Sequence, residues 1–405
     1  MFLAKAVNFL VSIFVIRILT KSDYGFIAYS LTIISFAAPF VGAGIHQGLL
    51  RFGAMTEGQF HKKVLFHLTF WKGLKYSGFI ALGIIILSPL LTIRMSGASV
   101  YLALMSFQII SLFIIQMIQV YCRLIHRNKI FAIINMQNNL LLLVFNVTLC
   151  LLFGGIGYVI SIICVPLFLG LFYLKKLRLN TIQTSNKLVV KIKDSFTFKS
   201  SELLSYGLYM SVGGVLSQLL YAVDILLIGN LLIDAELVAQ YKASSIIPFS
   251  LIILAVAFLT TDFVKLANAS KNNKTALKQY YLNYLKLFSF ISIGIVLGFY
   301  LFAEPMLSIF GEDYKGHSEL MIIFSIGVVG GLLFRVPMGN MLSAIGWPKI
   351  NALFSVIVLI INVFANYYMI LKYGIIGAAI TTSALMWLSG ILSLGAFIYY
   401  LNTKN

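Results

Sequence analysis

The chain has 405 residues, of which 60% are hydrophobic and 10% charged, with a mean hydropathy of +0.97 and a net charge of +18. Soluble domains run at about 45–50% apolar and about 25% charged residues, so this excess cannot be hidden in one soluble core. A soluble enzyme, a secreted disulfide scaffold and a disordered chain are thereby excluded. What remains is an all-α polytopic membrane protein, because uncharged runs of about 20 residues are long enough to cross ~30 Å of hydrocarbon as helices. Runs such as 140–145 and 356–361 do not alternate apolar with polar residues, as barrel strands would.

Twelve spans are predicted, over 2–19, 25–50, 76–93, 100–120, 130–153, 158–174, 206–230, 239–263, 287–302, 320–341, 350–371 and 375–400. The first carries Lys5, Asn8 and Ser12 on one helical face and Arg17 near its outer end. No small-residue cleavage site follows Arg17, so it is not a signal peptide. Lys5 is placed either to touch substrate or to snorkel to the inner surface, and Arg17 either to touch substrate or to pair with Asp23. The second span closes on His46, Gln47 and Arg51, where Arg51 could meet a phosphate or anchor the helix. A basic stretch, 175–202, separates the sixth span from the seventh. The seventh contains Asp224, on a stripe with Ser217 and Tyr221, while Asp262 marks the inner edge of the eighth. The tenth holds Arg335, with Pro337 two residues on to free a backbone carbonyl and allow a kink.

Ionisable groups inside spans cost roughly 2.5–3.5 kcal/mol on insertion scales and usually face protein or a water-filled cavity. Arg335 therefore reads as a substrate-binding residue or as a cation snorkelling to the cytoplasmic side. Asp224 reads as a proton or sodium site, as the partner of an arginine, or as half of a static ion pair.

Loop charges fix the orientation. Twenty-two cations fall in the even-numbered connections and the C-terminal tail, among them Lys62, Lys63, Lys175, Lys187 and Lys278, against five in the odd-numbered ones. The positive-inside rule then puts both termini in the cytoplasm. The basic balance thus records topology and attraction to anionic lipid rather than nucleic acid. Cys122, Cys150 and Cys164 have no C-x-x-C spacing and read as small core residues, neither metal ligands nor a disulfide framework. The histidines are scattered, and neither H-E-x-x-H nor a nucleotide phosphate loop occurs, so no catalytic residue, metal or cofactor is expected.

Sliding the chain on itself by 220 positions aligns Lys129, Asn146, Gly154 and Gly157 with Lys349, Asn366, Gly374 and Gly377. A weaker echo at 212 pairs Tyr29 with Tyr241. Six spans per half is an even number, so both halves enter the membrane in one orientation, as in parallel-repeat transporters. The predicted organisation is a six-helix lobe over 1–174, a basic cytoplasmic linker over 175–202 and a second six-helix lobe over 203–405.

The stretches FVIRILTKSDYGFIAYSLTI, SVGGVLSQLLYAVDILLIGNLLIDAELVAQY, SAIGWPKINALFSV and NYYMILKYGIIGAAI resemble the O-antigen-type polysaccharide-unit flippases of the multidrug, oligosaccharidyl-lipid and polysaccharide exporter superfamily. That resemblance implies a MATE-like fold of two six-helix lobes, in the cytoplasmic (inner) membrane. It also implies translocation of a polyprenyl-diphosphate-linked oligosaccharide, an O-antigen or capsule unit, from inner to outer leaflet. Membrane lipids, a polysaccharide polymerase and chain-length proteins are the implied partners. Such proteins carry a short polar leader, whereas this chain opens inside its first span, which sets the expected native start upstream of Met1. Lys5, Arg17 and Arg335 against Asp224 leave the span interiors net positive, the sign a diphosphate needs. A cation-coupled drug exporter of the MATE type, which would favour carboxylates, is the alternative; a membrane polymerase is the more distant one.

Overall fold

In the computed structural model the described residues are 2–179, 198–259 and 274–402, and among them every regular element is helical. The chain divides into two compact units, Met1–Gln218 and Leu219–Asn405. The boundary falls inside a helix rather than ahead of it. Most of the basic stretch 175–202, and also Asp262, lie outside the described residues.

Unit 1 contains α1 (Phe2–Ile18), α2 (Lys21–Ala37), α3 (Ile45–Met55), α4 (Gln59–Leu91), α5 (Ala98–Met105), α6 (Gln108–Leu124) and α7 (Asn128–Lys176), with the start of α8 (Ser200–Leu232). Here α6 packs on α7 and α4, and α1 on α7. Unit 2 contains the rest of α8, then α9 (Ala235–Ser250), α10 (Lys274–Ser308), α11 (Ser318–Gly330), α12 (Val336–Ala344) and α13 (Pro348–Asn402). Its α11 packs on α9, α10 and α13. Large apolar side chains point outward on many of these helices, Phe290 being 78% exposed. In water that would be an aggregation hazard, whereas against lipid tails it costs nothing. Among the described residues, eight helical stretches are long and apolar enough to span a membrane. Cys122 and Cys150 are buried as expected, but Cys164 is exposed on the apolar outer surface of α7.

Two helices are too long for a single crossing. The 49 residues of α7 and the 55 of α13 would extend roughly 75–80 Å at 1.5 Å per residue, more than twice the ~30 Å hydrocarbon core. Both break at a glycine, Gly154 with φ 57° and ψ −137°, Gly374 with φ 59° and ψ −141°. An L-side chain would be strained in this region, so glycine is the residue that allows the chain to fold back. Three residues later a Cβ on Gly157 would collide with the Leu149 carbonyl, and one on Gly377 with the Met369 carbonyl. The two breaks share backbone angles, close packing and the 220-position spacing read from sequence.

The predicted second span is not continuous. Between α2 and α3, Ala38–Gly44 loses helical geometry: Val41 is extended, and Gly42, Ala43 and Gly44 are left-handed. Backbone groups freed at membrane depth need partners, because hydrocarbon offers none. Ser77 Oγ accepts from the Gly42 N–H at 2.9 Å, and Ser211 Oγ donates to the Pro39 carbonyl at 2.5 Å. At Gly44 the α8 backbone at Gly207 comes so close that a Cβ on either residue would clash. This seam places the start of α8 in unit 1.

Candidate functional site

Asp224, on α8, is 2% exposed and surrounded by neutral donors. Tyr241 on α9 donates its hydroxyl to Oδ2 at 2.7 Å and Thr382 on α13 donates Oγ1 to Oδ2 at 2.5 Å. Asn366, on the other arm of α13, donates Nδ2 to Oδ1 at 2.8 Å. The Gly374 break is what brings both arms of α13 to the same carboxylate. Tyr241 is fixed by an edge-on ring contact with Phe324 of α11, centroids 5.2 Å apart. Asn366 also donates to Asn362 Oδ1, while its own buried Oδ1 has no hydrogen-bond partner. The partner-arginine and static ion-pair readings are therefore corrected, since the carboxylate is held by a hydroxyl pair and an amide. Chemically, the arrangement stabilises one negative charge with oxygen-rich neutral groups, a setting suited to a proton or a hard monovalent cation. Among the described residues no cluster of three His, Cys, Asp or Glu could hold a metal ion.

Arg335 occupies the last position of a π-helical turn, Gly331–Arg335, between α11 and α12. The sequence placed a freed carbonyl near Pro337, and the structure shows where it goes. Tyr284 donates its hydroxyl to the Leu332 carbonyl at 2.7 Å and Tyr281 donates to the Leu333 carbonyl at 3.3 Å. Both tyrosines stand on α10, and their rings lock this wider turn in place. Tyr284→Phe is expected to lower stability by about 1 kcal/mol, one buried hydrogen bond lost with its acceptor stranded, read as a lower melting temperature in detergent. An unchanged melting temperature would show that the bond contributes nothing. Arg335 itself is half-buried at a small cleft of about 20 Å³, room for about one water, beside Asn351, Ser355, Ser389 and Ser393.

In unit 1 the described candidates Asn8, Arg17 and Arg51 stand on α1 and α3. Arg51, at the end of α3, is exposed and lies over the Tyr206 ring with 4.5 Å to the centroid. Arg17 is exposed, and the predicted pairing with Asp23 is corrected: the Asp23 carboxylate accepts from the Thr20 hydroxyl and from Tyr101, each at 2.8 Å. Asn8 is exposed, and Ser12 donates to its backbone carbonyl rather than its side chain. The side chains of Lys5, Ser217 and Tyr221 lie outside the described residues. Tyr241, Asn366 and Thr382 were not singled out as site residues from sequence. The signal for Asn366 was present in its repeat match to Asn146, which bonds Ser161 across the equivalent hairpin in unit 1.

Residues 14–319 match the family described as "Polysaccharide biosynthesis protein", about three quarters of the chain. The chain belongs to this family. A Shigella flexneri protein named as an O-antigen transporter is 29% identical over 198 residues, which is 48% of this chain and 46% of that relative. The chain thus spans less than half the length of that relative. A multidrug resistance MATE family transporter of the MOP superfamily in its inward-facing conformation aligns with a TM-score of 0.78 at 14% identity, over 99% of this chain and 96% of its own. The lipid II flippase MurJ, inward closed, aligns with a TM-score of 0.73 at 19% identity, over 100% of this chain and 88% of its own. The fold is MATE-like, and the chain is a polysaccharide biosynthesis protein that spans the membrane several times.

Proposed function

We propose that this protein is a flippase that moves a polyprenyl-diphosphate-linked oligosaccharide from the inner to the outer leaflet of the cytoplasmic membrane. The observation that carries the reading is the state of the buried carboxylate. Asp224 is the one buried Asp or Glu among the described residues, and its oxygens are already taken by Tyr241, Thr382 and Asn366. A bulky cationic drug could not reach a carboxylate enclosed by these three side chains, whereas a proton or a small ion could, and an anionic diphosphate needs a cation such as Arg335 beside polar groups. Family membership and the O-antigen transporter named among its relatives support the same choice. In this reading Arg335 meets the diphosphate and Asp224 takes up the coupling ion, while Lys5, Arg17 and Arg51, with the polar Asn8, provide the substrate path of unit 1.

The proposed topology has twelve crossings, in two lobes of six, with both termini in the cytoplasm. It is supported by the glycine breaks, which turn α7 and α13 into two crossings each, and by the loop cations. A transporter of this kind works without its own catalytic residues, with a polymerase and chain-length proteins acting on its product.

The deciding experiment locates the lipid-linked saccharide in cells that lack the protein. Accumulation in the inner leaflet, sealed from an externally added sugar-modifying enzyme until the membrane is opened, is the expected result. Unpolymerised units on the outer leaflet would instead assign the chain to polymerisation and reject the flippase.

A further inference from the structure

Unit 1 holds a cleft of about 290 Å³ between the first half of α4 and the end of α7. Its walls are apolar, formed by Phe70 and Leu74 of α4, Ile114 of α6 and Leu174 of α7. The rim is different: it carries His67, Trp71 and Lys175. Trp71 is 51% exposed, and His67 hydrogen-bonds the Leu179 backbone at the cleft's end. The volume is at the bottom of the ~300–1,000 Å³ range of small-ligand pockets, enough for a short hydrocarbon segment and not for a whole lipid.

Charge narrows the occupant further. None of the helices that build this cleft, α4, α6 and α7, contains an Asp or Glu, and Lys175 is the one lysine among its lining residues. A soluble anion would satisfy the rim but leave the apolar walls wet. A neutral lipid would fill the walls and leave Lys175 unmatched. A half-exposed tryptophan between the two zones is the arrangement found at headgroup depth, and basic pockets between membrane helices hold anionic headgroups.

We propose that this cleft binds one acyl chain of an anionic phospholipid, with its headgroup phosphate at Lys175 and His67. The bound lipid joins α4 to the last turns of α7 at the point where the chain leaves the membrane. This site is separate from the Asp224 and Arg335 chemistry and does not depend on which lipid is transported.

The chain has three tryptophans, Trp71, Trp347 and Trp387, so the double replacement Trp347→Phe, Trp387→Phe leaves Trp71 as the reporter. The full-length variant is reconstituted in phosphatidylcholine vesicles with a small fraction of brominated phosphatidylglycerol or, in parallel, brominated phosphatidylcholine. Brominated phosphatidylglycerol is expected to associate about five-fold more tightly, judged by quenching of Trp71, as one lysine near an anionic headgroup provides. Lys175→Glu is expected to abolish the preference, and Lys278→Glu, an equal change of net charge on α10, to retain it. Equal quenching by both lipids would overturn the proposal. So would no quenching by either, which would mean that the segment beyond Leu179 fills the cleft. Relief of quenching by trace polyprenyl phosphate would also overturn it, giving the cleft to the tail of an isoprenoid lipid.

Discussion

Asp224→Asn is expected to reduce lipid-linked oligosaccharide flipping by about ten-fold or more while the protein reaches the membrane at its normal level and melts no lower than the parent. The side chain keeps its volume and one acceptor oxygen, so Tyr241 and Thr382 retain a target for their hydroxyls. What is lost is the charge, whose insertion costs roughly 2.5–3.5 kcal/mol, together with the acceptor for Asn366, worth about 1 kcal/mol in the other direction. Unlike a structural ion pair, it is held by Tyr241, Thr382 and Asn366, so removing it strands no opposite charge. A residue retained at a cost to stability and not paired to offset it points to function. The measurement is flipping in proteoliposomes under imposed proton and sodium gradients, beside thermal unfolding of the same preparation. A variant that flips at the parental rate and keeps its response to the gradients would remove Asp224 from the coupling step. Falling stability with unchanged turnover would make it a structural group.

The helical membrane fold was legible because hydrophobic length is a strong signal and charge asymmetry in loops is an independent one. The repeat was legible at its glycines: Gly154 and Gly374 stand 220 positions apart because each supplies the same positive φ at the same turn. Interruptions that keep an apolar composition were not legible. Ala38–Gly44 is as hydrophobic as the helices around it, and the break shows only in its backbone angles and in the partners of its free backbone groups, Ser77 and Ser211. The site was half legible. A carboxylate in a span announces itself, but its donors come from α9 and both arms of α13, and Tyr241, Asn366 and Thr382 are ordinary residues until the fold brings them together. Arg17 shows the converse, since proximity in sequence to Asp23 suggested a pair that Thr20 and Tyr101 pre-empt.

Arg335→Lys is expected to lower flipping by about ten-fold, and Arg335→Ala to abolish it, with normal protein level in both. Lysine keeps the charge but presents a single ammonium, whereas the planar guanidinium can hold two phosphate oxygens in parallel. Losing one of two charge-assisted bonds costs about 1.5 kcal/mol, which corresponds to about ten-fold in rate or affinity. Position matters as much as valence. The π-helical turn Gly331–Arg335 sets the side chain at the cleft with Asn351, Ser355, Ser389 and Ser393, and the Tyr281 and Tyr284 bonds keep that turn from relaxing to an ordinary helix. Arg51 provides the contrast, because it is exposed and lies on the face of Tyr206, an anchoring contact that lysine can also make. Arg51→Lys is therefore expected to change flipping by less than about two-fold, since the cation–π contact survives the exchange. If Arg335→Ala were to flip lipid-linked oligosaccharide at the parental rate, the diphosphate would have to be held by the basic residues of unit 1. Lys5, Arg17 and Arg51 would then be the next positions to replace, singly and together.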